Sequence, residues 1–239
     1  MAATGCFISD LHLFSRRSEA PRYQRAIHLA AAGAPNFVLG GDIFDFRWSM
    51  LPSAQDTVDA ALSWLDDLVG SHSHCQFHFV LGNHDCNLRF VGALEKYSRT
   101  RDNLLLHPFV LRQGNNVFLH GDAADHPQMC GERLARRRER WQHDEKRKGE
   151  VPNLFYDAAV RAGLHKLCGQ VLNPRQKVAR RLGEYLDRIG VGLEAGVKNV
   201  YFGHTHEALS NYEHGGLQFH NGGAPIAGLD FRIVEIEAG

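Results

Sequence analysis

The sequence predicts a mixed α/β (α+β) fold, a two-sheet β-sandwich flanked by helices, on three observations. In the first half of the chain, short apolar runs of strand length alternate with segments of helical periodicity, the pattern of right-handed βαβ units. After Leu104, and again after Val200, the strand-like runs crowd together as hairpin-connected additions do. Five of the runs end in residues that carry oxygen or nitrogen donors, and the crevice beyond the carboxyl ends of strands is where α/β sheets build their sites.

Taken in order, Cys6 to Ser9 reads as a buried strand that stops at Asp10-Leu11-His12, before a polar loop through Arg16 and Arg17. Pro21 to Ala32 has helical spacing in Tyr23, Ile27, Ala30 and Ala31, with Gly33 as its stop. Phe37 to Leu39 is the next strand and runs into Gly40-Gly41-Asp42-Ile43-Phe44-Asp45. Val58, Ala61, Leu62, Leu65, Leu68 and Val69 repeat at helical intervals up to Gly70. A third strand, Phe77 to Leu81, ends in Gly82-Asn83-His84-Asp85. Leu88 to Tyr97 reads as a short helix, and Leu104 to Leu106 and Phe109 to Leu111 as strands. Val117 to Leu119 is a strand running into His120-Gly121-Asp122. Val200 to Phe202, Leu217 to Phe219 and Phe231 to Ile236 close the chain, the first of them leading into Gly203-His204-Thr205-His206.

A basic section interrupts this rhythm. Glu132 to Lys148 has almost no apolar stripe beyond Leu134 and Trp141, so as a helix it would be solvated nearly all round. Asn173 and Pro174 then make an N-cap and first turn for a helix whose one apolar face is Val178, Leu182, Tyr185, Leu186 and Ile189; Arg175, Arg180, Arg181 and Arg188 lie off it, and Gly190 closes it. The 239 residues read as a single domain, 1–239, with a helical insertion at 127–190 serving as a cap. Between Gly131 and Gly190 there are 15 Lys or Arg against 8 Asp or Glu, a net +7 that leaves −7 on the rest of this neutral chain. That overall neutrality argues against bulk attraction to nucleic acid or membrane.

Five scattered cysteines without a C-x-x-C argue against a disulfide framework or zinc knuckle and fit a reducing compartment. No basic-then-apolar leader opens the sequence, and no stretch of about 18 apolar residues occurs, so a cytoplasmic location is expected.

The donors at the strand ends are Asp10, His12, Asp42, Asn83, His84, His120, His204 and His206. On an extended strand His204 and His206 would point to one side and face one cavity. Two metals fit this set, because the two oxygens of Asp42 could reach both while three further ligands serve each side. Imidazole mixed with carboxylate and amide oxygen suits Mn, Fe, Zn or Mg over thiolate-seeking copper. His28, His72, His74, His78, His165 and His214 lie outside these motifs and read as structural or solvated; Cys86 acquires no role.

Asp10-x-His12, Gly41-Asp42-x-x-Asp45, Gly82-Asn83-His84-Asp85, a strand-ending His120 and Gly203-His204-x-His206 resemble, in order, the blocks of the calcineurin-like metallophosphoesterases. The resemblance spans Asp10 to His206 and implies that family's sandwich and a hydrolase of phosphoester or pyrophosphate bonds acting through a metal-bridging hydroxide. It implies two divalent ions, manganese first among them, with Asp10, His12 and His206 on one, Asn83, His120 and His204 on the other, and Asp42 on both. His84 would then be a catalytic acid working beside Asp42 and Asn83, with Asn83, His84 and His204 touching the substrate. Asp45, Asp85 and Asp122 would accept hydrogen bonds that orient imidazoles or shape turns.

Within the family, Ile8-Ser9-Asp10-Leu11-His12-Leu13, the chain length and the basic insertion between His120 and His204 resemble the UDP-2,3-diacylglucosamine pyrophosphohydrolases of lipid A synthesis. That implies a lipid nucleotide as partner, UMP as product, and peripheral contact with the inner membrane through the insertion. Val178 to Ile189 would either line an acyl groove, with Arg180 or Arg181 meeting phosphate or lipid headgroups, or simply pack on the body. The chain departs from that subfamily at His84, where its members carry Arg. Other phosphate-containing small molecules, as substrates of a phosphodiesterase or phosphomonoesterase, are the alternative. A nuclease is disfavoured because 239 residues leave little room for a DNA-binding domain, and a non-catalytic scaffold because every ligand position is filled.

Overall fold

A computed structural model describes residues 4–143 and 174–237. Two five-stranded sheets form the centre of the molecule. In the first, β1 (Gly5–Ile8), β2 (Asn36–Leu39), β3 (Gln76–Val80) and β4 (Leu104–His107) run parallel, and β10 (Val234–Ile236) adds antiparallel to β1. In the second, β5 (Val110–Gln113), β6 (Asn116–Leu119), β7 (Asn199–Tyr201), β9 (Leu217–Asn221) and β8 (Leu209–His214) lie side by side in that order, with β6, β7 and β9 parallel. The strand runs expected from the sequence are all present within a few residues, except that Phe231 to Ile233 stay outside β10.

The apolar residues sort into three layers, which explains why two sheets and not one are stable. Alternate strand positions Phe7, Val38, Val80, Leu111, Phe118 and Tyr201 fill the space between the sheets. The opposite face of the first sheet packs on α1 (Gln24–Gly33), α2 (Ala54–Ser71) and α3 (Leu88–Ser98), through Ile27, Leu65, Phe90 and their neighbours. The outer face of the second sheet is covered by α5 (Arg175–Arg188), whose Val178, Leu182, Tyr185 and Leu186 meet Val117, Val200, Phe202, Leu217 and Phe219.

That last contact decides between the two expectations for this helix. The apolar face of α5 is a layer of the body, not an acyl groove, because the outer face of the second sheet would otherwise be bare. The short α4 (Gly131–Glu139) is also less solvated than its composition suggested, since Leu134 and Arg138 are buried. Pro174 holds the N-cap position of α5 with no side-chain cap; Asn173 lies in 144–173, outside the described residues, as do Lys148, His165 and Cys168. The other four cysteines are free. Among the described residues no helix is long and apolar enough to cross a membrane.

Candidate dinuclear metal centre

The parallel strands β1, β2 and β3 of one sheet and β6 and β7 of the other end at the same edge, so the loops beyond them meet. Backbone bonds lock those loops together: Asp10 N–H donates to Gly41 O (3.0 Å), His12 N–H to Asp42 O (2.9 Å) and Gly203 N–H to His120 O (2.7 Å). Asp10 is fully buried, and its carboxylate accepts from Ser9 Oγ (2.6 Å) and from the backbone N–H of His204 (2.9 and 3.0 Å). Asp42 Oδ1 accepts from the backbone N–H of His84 (2.8 Å), which aims Oδ2 at the cavity.

His204 and His206 reach the cavity, but not by strand alternation. β7 ends at Tyr201, and both residues sit in the loop with left-handed backbones, φ 67° and 57°. Asp10, His12 and Asp42 share that conformation at φ 53°, 45° and 52°. A left-handed residue reverses the chain within one position, which lets consecutive donors point inward from a loop; for a non-glycine residue it costs on the order of 1 kcal/mol or more. The neighbouring glycines serve a second need, room. A Cβ on Gly82 would collide with Asp42 Oδ1, and one on Gly203 with Asp10 Oδ2.

The donors fall into overlapping groups whose atoms lie within 4.8 Å of one another: Asp10, His12 and His206; Asp42, His120 and His204; and His12, Asp42 and His84. His206 Nε2 is 3.0 Å from His12 Nε2 and 3.5 Å from Asp10 Oδ1. His120 Nε2 is 3.2 Å from both Asp42 Oδ2 and Asn83 Oδ1, while its Nδ1 faces Gly40 O at 3.3 Å. Asp42 lies between the outer groups, with Oδ2 4.0 Å from His12 Nε2. All eight donors expected from the sequence are therefore in one cavity.

The acidic neighbours take different tasks. Asp45 contacts two imidazoles, His84 Nδ1 at 2.9 Å and His12 Nδ1 at 3.3 Å, leaving the Nε2 of each toward the cavity. Among the described residues Asp85 touches no imidazole; it accepts from the backbone N–H of Phe44 (2.9 Å), Ile43 and Gly82 (3.3 Å each), tying two loops together. Asp122 is taken up by a bidentate pair with the buried Arg138, at 2.8 Å for both bonds. The role of orienting His204 falls instead to Asp125, whose Oδ1 is 2.9 Å from its Nε2. Asp125 and Arg138 were not singled out in the sequence; both sit near the His120-Gly121-Asp122 block, but nothing in residue spacing marks them.

The protein's own charges show what the cavity favours. Burial alone would depress the His120 imidazole, yet Asp42, Asp10 and Asp122 outweigh it and raise it to about 10. Burial likewise opposes Asp45 and Asp42 at His84, which rises to about 9. Asp42 and Asp45, against burial, are held below the usual carboxylate range by the surrounding histidines. Burial and the Asp42 charge push Asp85 up to about 7. A cluster of buried carboxylates that recruits protons onto imidazoles is one that divalent cations would satisfy, and hard oxygen with borderline nitrogen donors is the chemistry such cations take.

The chain matches the model of the calcineurin-like phosphoesterases over residues 6–208. A direct search of curated proteins returns no match. Among solved structures, phosphopantetheinyl hydrolase from Mycobacterium tuberculosis is similar at 16% identity and TM-score 0.46, covering 93% of this chain and 90% of that one. A dimetal phosphatase from Danio rerio is similar at 12% identity and TM-score 0.46, over 94% and 89%. Yfce, a phosphoesterase from E. coli, follows at 13% identity and TM-score 0.37, over 98% and 82%.

Proposed function

The chain belongs to the calcineurin-like phosphoesterase family, whose members are metal-dependent phosphoesterases, and we propose that it hydrolyses phosphoester or pyrophosphate bonds of small molecules with two divalent ions, manganese by preference over iron, zinc or magnesium. The observation that carries this reading is the convergence of Asp10, His12 and His206 on one side and Asp42, His120 and His204 on the other, within 4.8 Å in each group, at the edge shared by both sheets. Asp10, His12 and His206 would hold one ion, Asn83, His120 and His204 the other, and Asp42 both. Bound there, such a pair lowers the pKa of water and offsets charge on phosphoryl oxygens.

The remaining steps belong to the chain. His84, held at Nδ1 by Asp45, presents its Nε2 edge to the cavity and donates a proton from it to the leaving oxygen, a role worth about 10²- to 10⁴-fold. Asn83 and His204 flank the phosphoryl position and orient its oxygens. Asp45 and Asp125 fix the imidazoles they touch.

The finer substrate, UDP-2,3-diacylglucosamine, rests on the Ile8 to Leu13 string and on the basic charge between Gly131 and Gly190, with cytoplasmic action at a membrane surface as its corollary. The α5 face lends it no support. A panel of that lipid nucleotide, a generic phosphodiester, a phosphomonoester and a cyclic nucleotide, each with added Mn²⁺, tests both levels. Activity on any member supports the general reading, failure on the lipid alone removes the finer one, and an Asp42→Asn variant with unchanged metal content and turnover would remove the site assignment.

A further inference from the structure

The mouth of the cavity carries a cation that the chemistry above leaves unused. Asp45 Oδ1, the atom against His84 Nδ1, also accepts the backbone N–H groups of Arg47 (3.1 Å) and Trp48 (2.8 Å). The turn that orients the proposed acid therefore also sets where the Arg47 side chain starts. Its guanidinium carbon rests 4.3 Å from the centroid of the Trp141 indole. The same indole lies 4.9 Å from the His84 ring, tilted at 43°. Arg47 is thus one indole away from His84.

Most arginines near the site are committed. Arg138 is paired with Asp122, Arg137 with Asp125 and Arg175 with Glu207. Arg47 differs: among the described residues no carboxylate pairs with it and no hydrogen bond takes up its guanidinium N–H groups, the indole being its side-chain contact. A guanidinium lying on an aromatic face keeps its edge donors open, and that planar fork matches phosphate oxygens bidentately. The stack also removes much of the rotamer freedom that a long side chain would lose on binding.

We propose that Arg47, seated on Trp141, is a second anion subsite that binds a phosphate carried by the leaving group. The inference rests on the reading of His84 as the leaving-group acid and sharpens the substrate class: a diphosphate ester, with one phosphoryl group at the metal ligands and the next on Arg47. A simple monoester fills half of this arrangement.

The test compares the affinity of Mn²⁺-loaded protein for methylene-bridged ADP, which resists cleavage, with its affinity for AMP, by titration calorimetry. Wild type is expected to favour the diphosphate by roughly 10- to 100-fold, the range of a hydrogen-bonded charge pair. Arg47→Gln should collapse that preference, and Trp141→Leu should lower it in part by removing the shelf. Arg47→Lys, which keeps the charge without the planar stack, should fall between and serves if Arg47→Gln does not fold. A wild type without the preference, or an Arg47→Gln variant that retains it, overturns the proposal. The substrate panel is read in parallel: an Arg47-dependent preference in a protein that cleaves nothing would sink the hydrolase reading alone, and cleavage without the preference would sink the subsite alone.

Discussion

Replacing Arg138 by Met should be among the most damaging single changes outside the ligand set. Arg138 and Asp122 are 3% and 2% exposed, and the guanidinium makes three bonds: two to Asp122 at 2.8 Å and one from Nη1 to Pro108 O at 2.7 Å. Burial would raise the Asp122 carboxyl, but the Arg138 charge and hydrogen bonds outweigh it and hold it at about 2. Against an ordinary value near 3.9, that is worth about 2 to 3 kcal/mol, present above the ordinary carboxylate range and lost as the pH falls through the folded value. This figure measures the net gain of the ionised state with its partner in place. Removing the partner leaves a buried, unpaired carboxylate beside His120 and His204, and costs more, about 3 to 5 kcal/mol. Urea unfolding at pH 7, followed by circular dichroism and tryptophan fluorescence, measures it. Asp122→Leu combined with Arg138→Met should recover a large part of the loss, since no charge is then stranded. A single-variant cost below about 1 kcal/mol, or a double-mutant coupling near zero, would refute the argument.

Three further outcomes follow from other parts of the molecule. Gly82→Ala should lower metal content and cost about 1 to 3 kcal/mol, because the new methyl collides with Asp42 Oδ1, whereas Gly92→Ala, which meets nothing within 4 Å in α3, should be neutral or stabilising; metal content and urea midpoints check both, and a fully loaded Gly82→Ala protein would count against the crowding argument. Metal loading at pH 7 should release about one proton or more, since the His120 imidazole, at about 10, must lose its proton to ligate; calorimetry in two buffers of different ionisation enthalpy reads the number, and buffer-independent heats would contradict it. Burial and the neighbouring His107 lower His78 to about 4, so the unfolded chain takes up its proton first as pH falls and stability drops between about 6.5 and 4; His78→Leu should flatten the loss from pH 7 to pH 5 by about 2 kcal/mol, and an unchanged slope would refute the assignment.

How far the sequence revealed this protein depends on which physical signal each element leaves. β1 to β3, β6 and β7 are buried apolar runs and announce themselves. β8 does not: in Leu-Ser-Asn-Tyr-Glu-His only Leu209 is buried, because an edge strand with one face in solvent needs little apolar surface, and its pairing with β9 across Gly215-Gly216 is what makes it a strand. The apolar stripe of α5 was plain, but a stripe states only that something covers it; that the cover is the second sheet required the topology. Asp125 and Arg138 were hidden for a related reason: a side chain that orients a ligand is chosen by distance in space, and Arg138 lies 16 residues from the Asp122 it holds.

The site residues were visible as types, yet the way they are aimed was not. Strand alternation was the natural route for His204 and His206 to share a cavity, and the chain uses another. Five proposed ligands, Asp10, His12, Asp42, His204 and His206, adopt left-handed backbones themselves, while much of the job of adjacent glycines is to clear space for the Asp10 and Asp42 carboxylates. A glycine at those five turns would relieve strain but supply no donor, so the chain keeps the donor and bears the backbone cost. That cost is offset where the strained residues are most tightly bonded: His204 N–H on the Asp10 carboxylate, His84 N–H on Asp42, and His12 N–H on Asp42 O. The Asp10 and Asp42 carboxylates therefore serve twice, as proposed metal ligands and as acceptors that hold the loops in the conformation ligation requires, which is why their removal should damage loop geometry and metal content together.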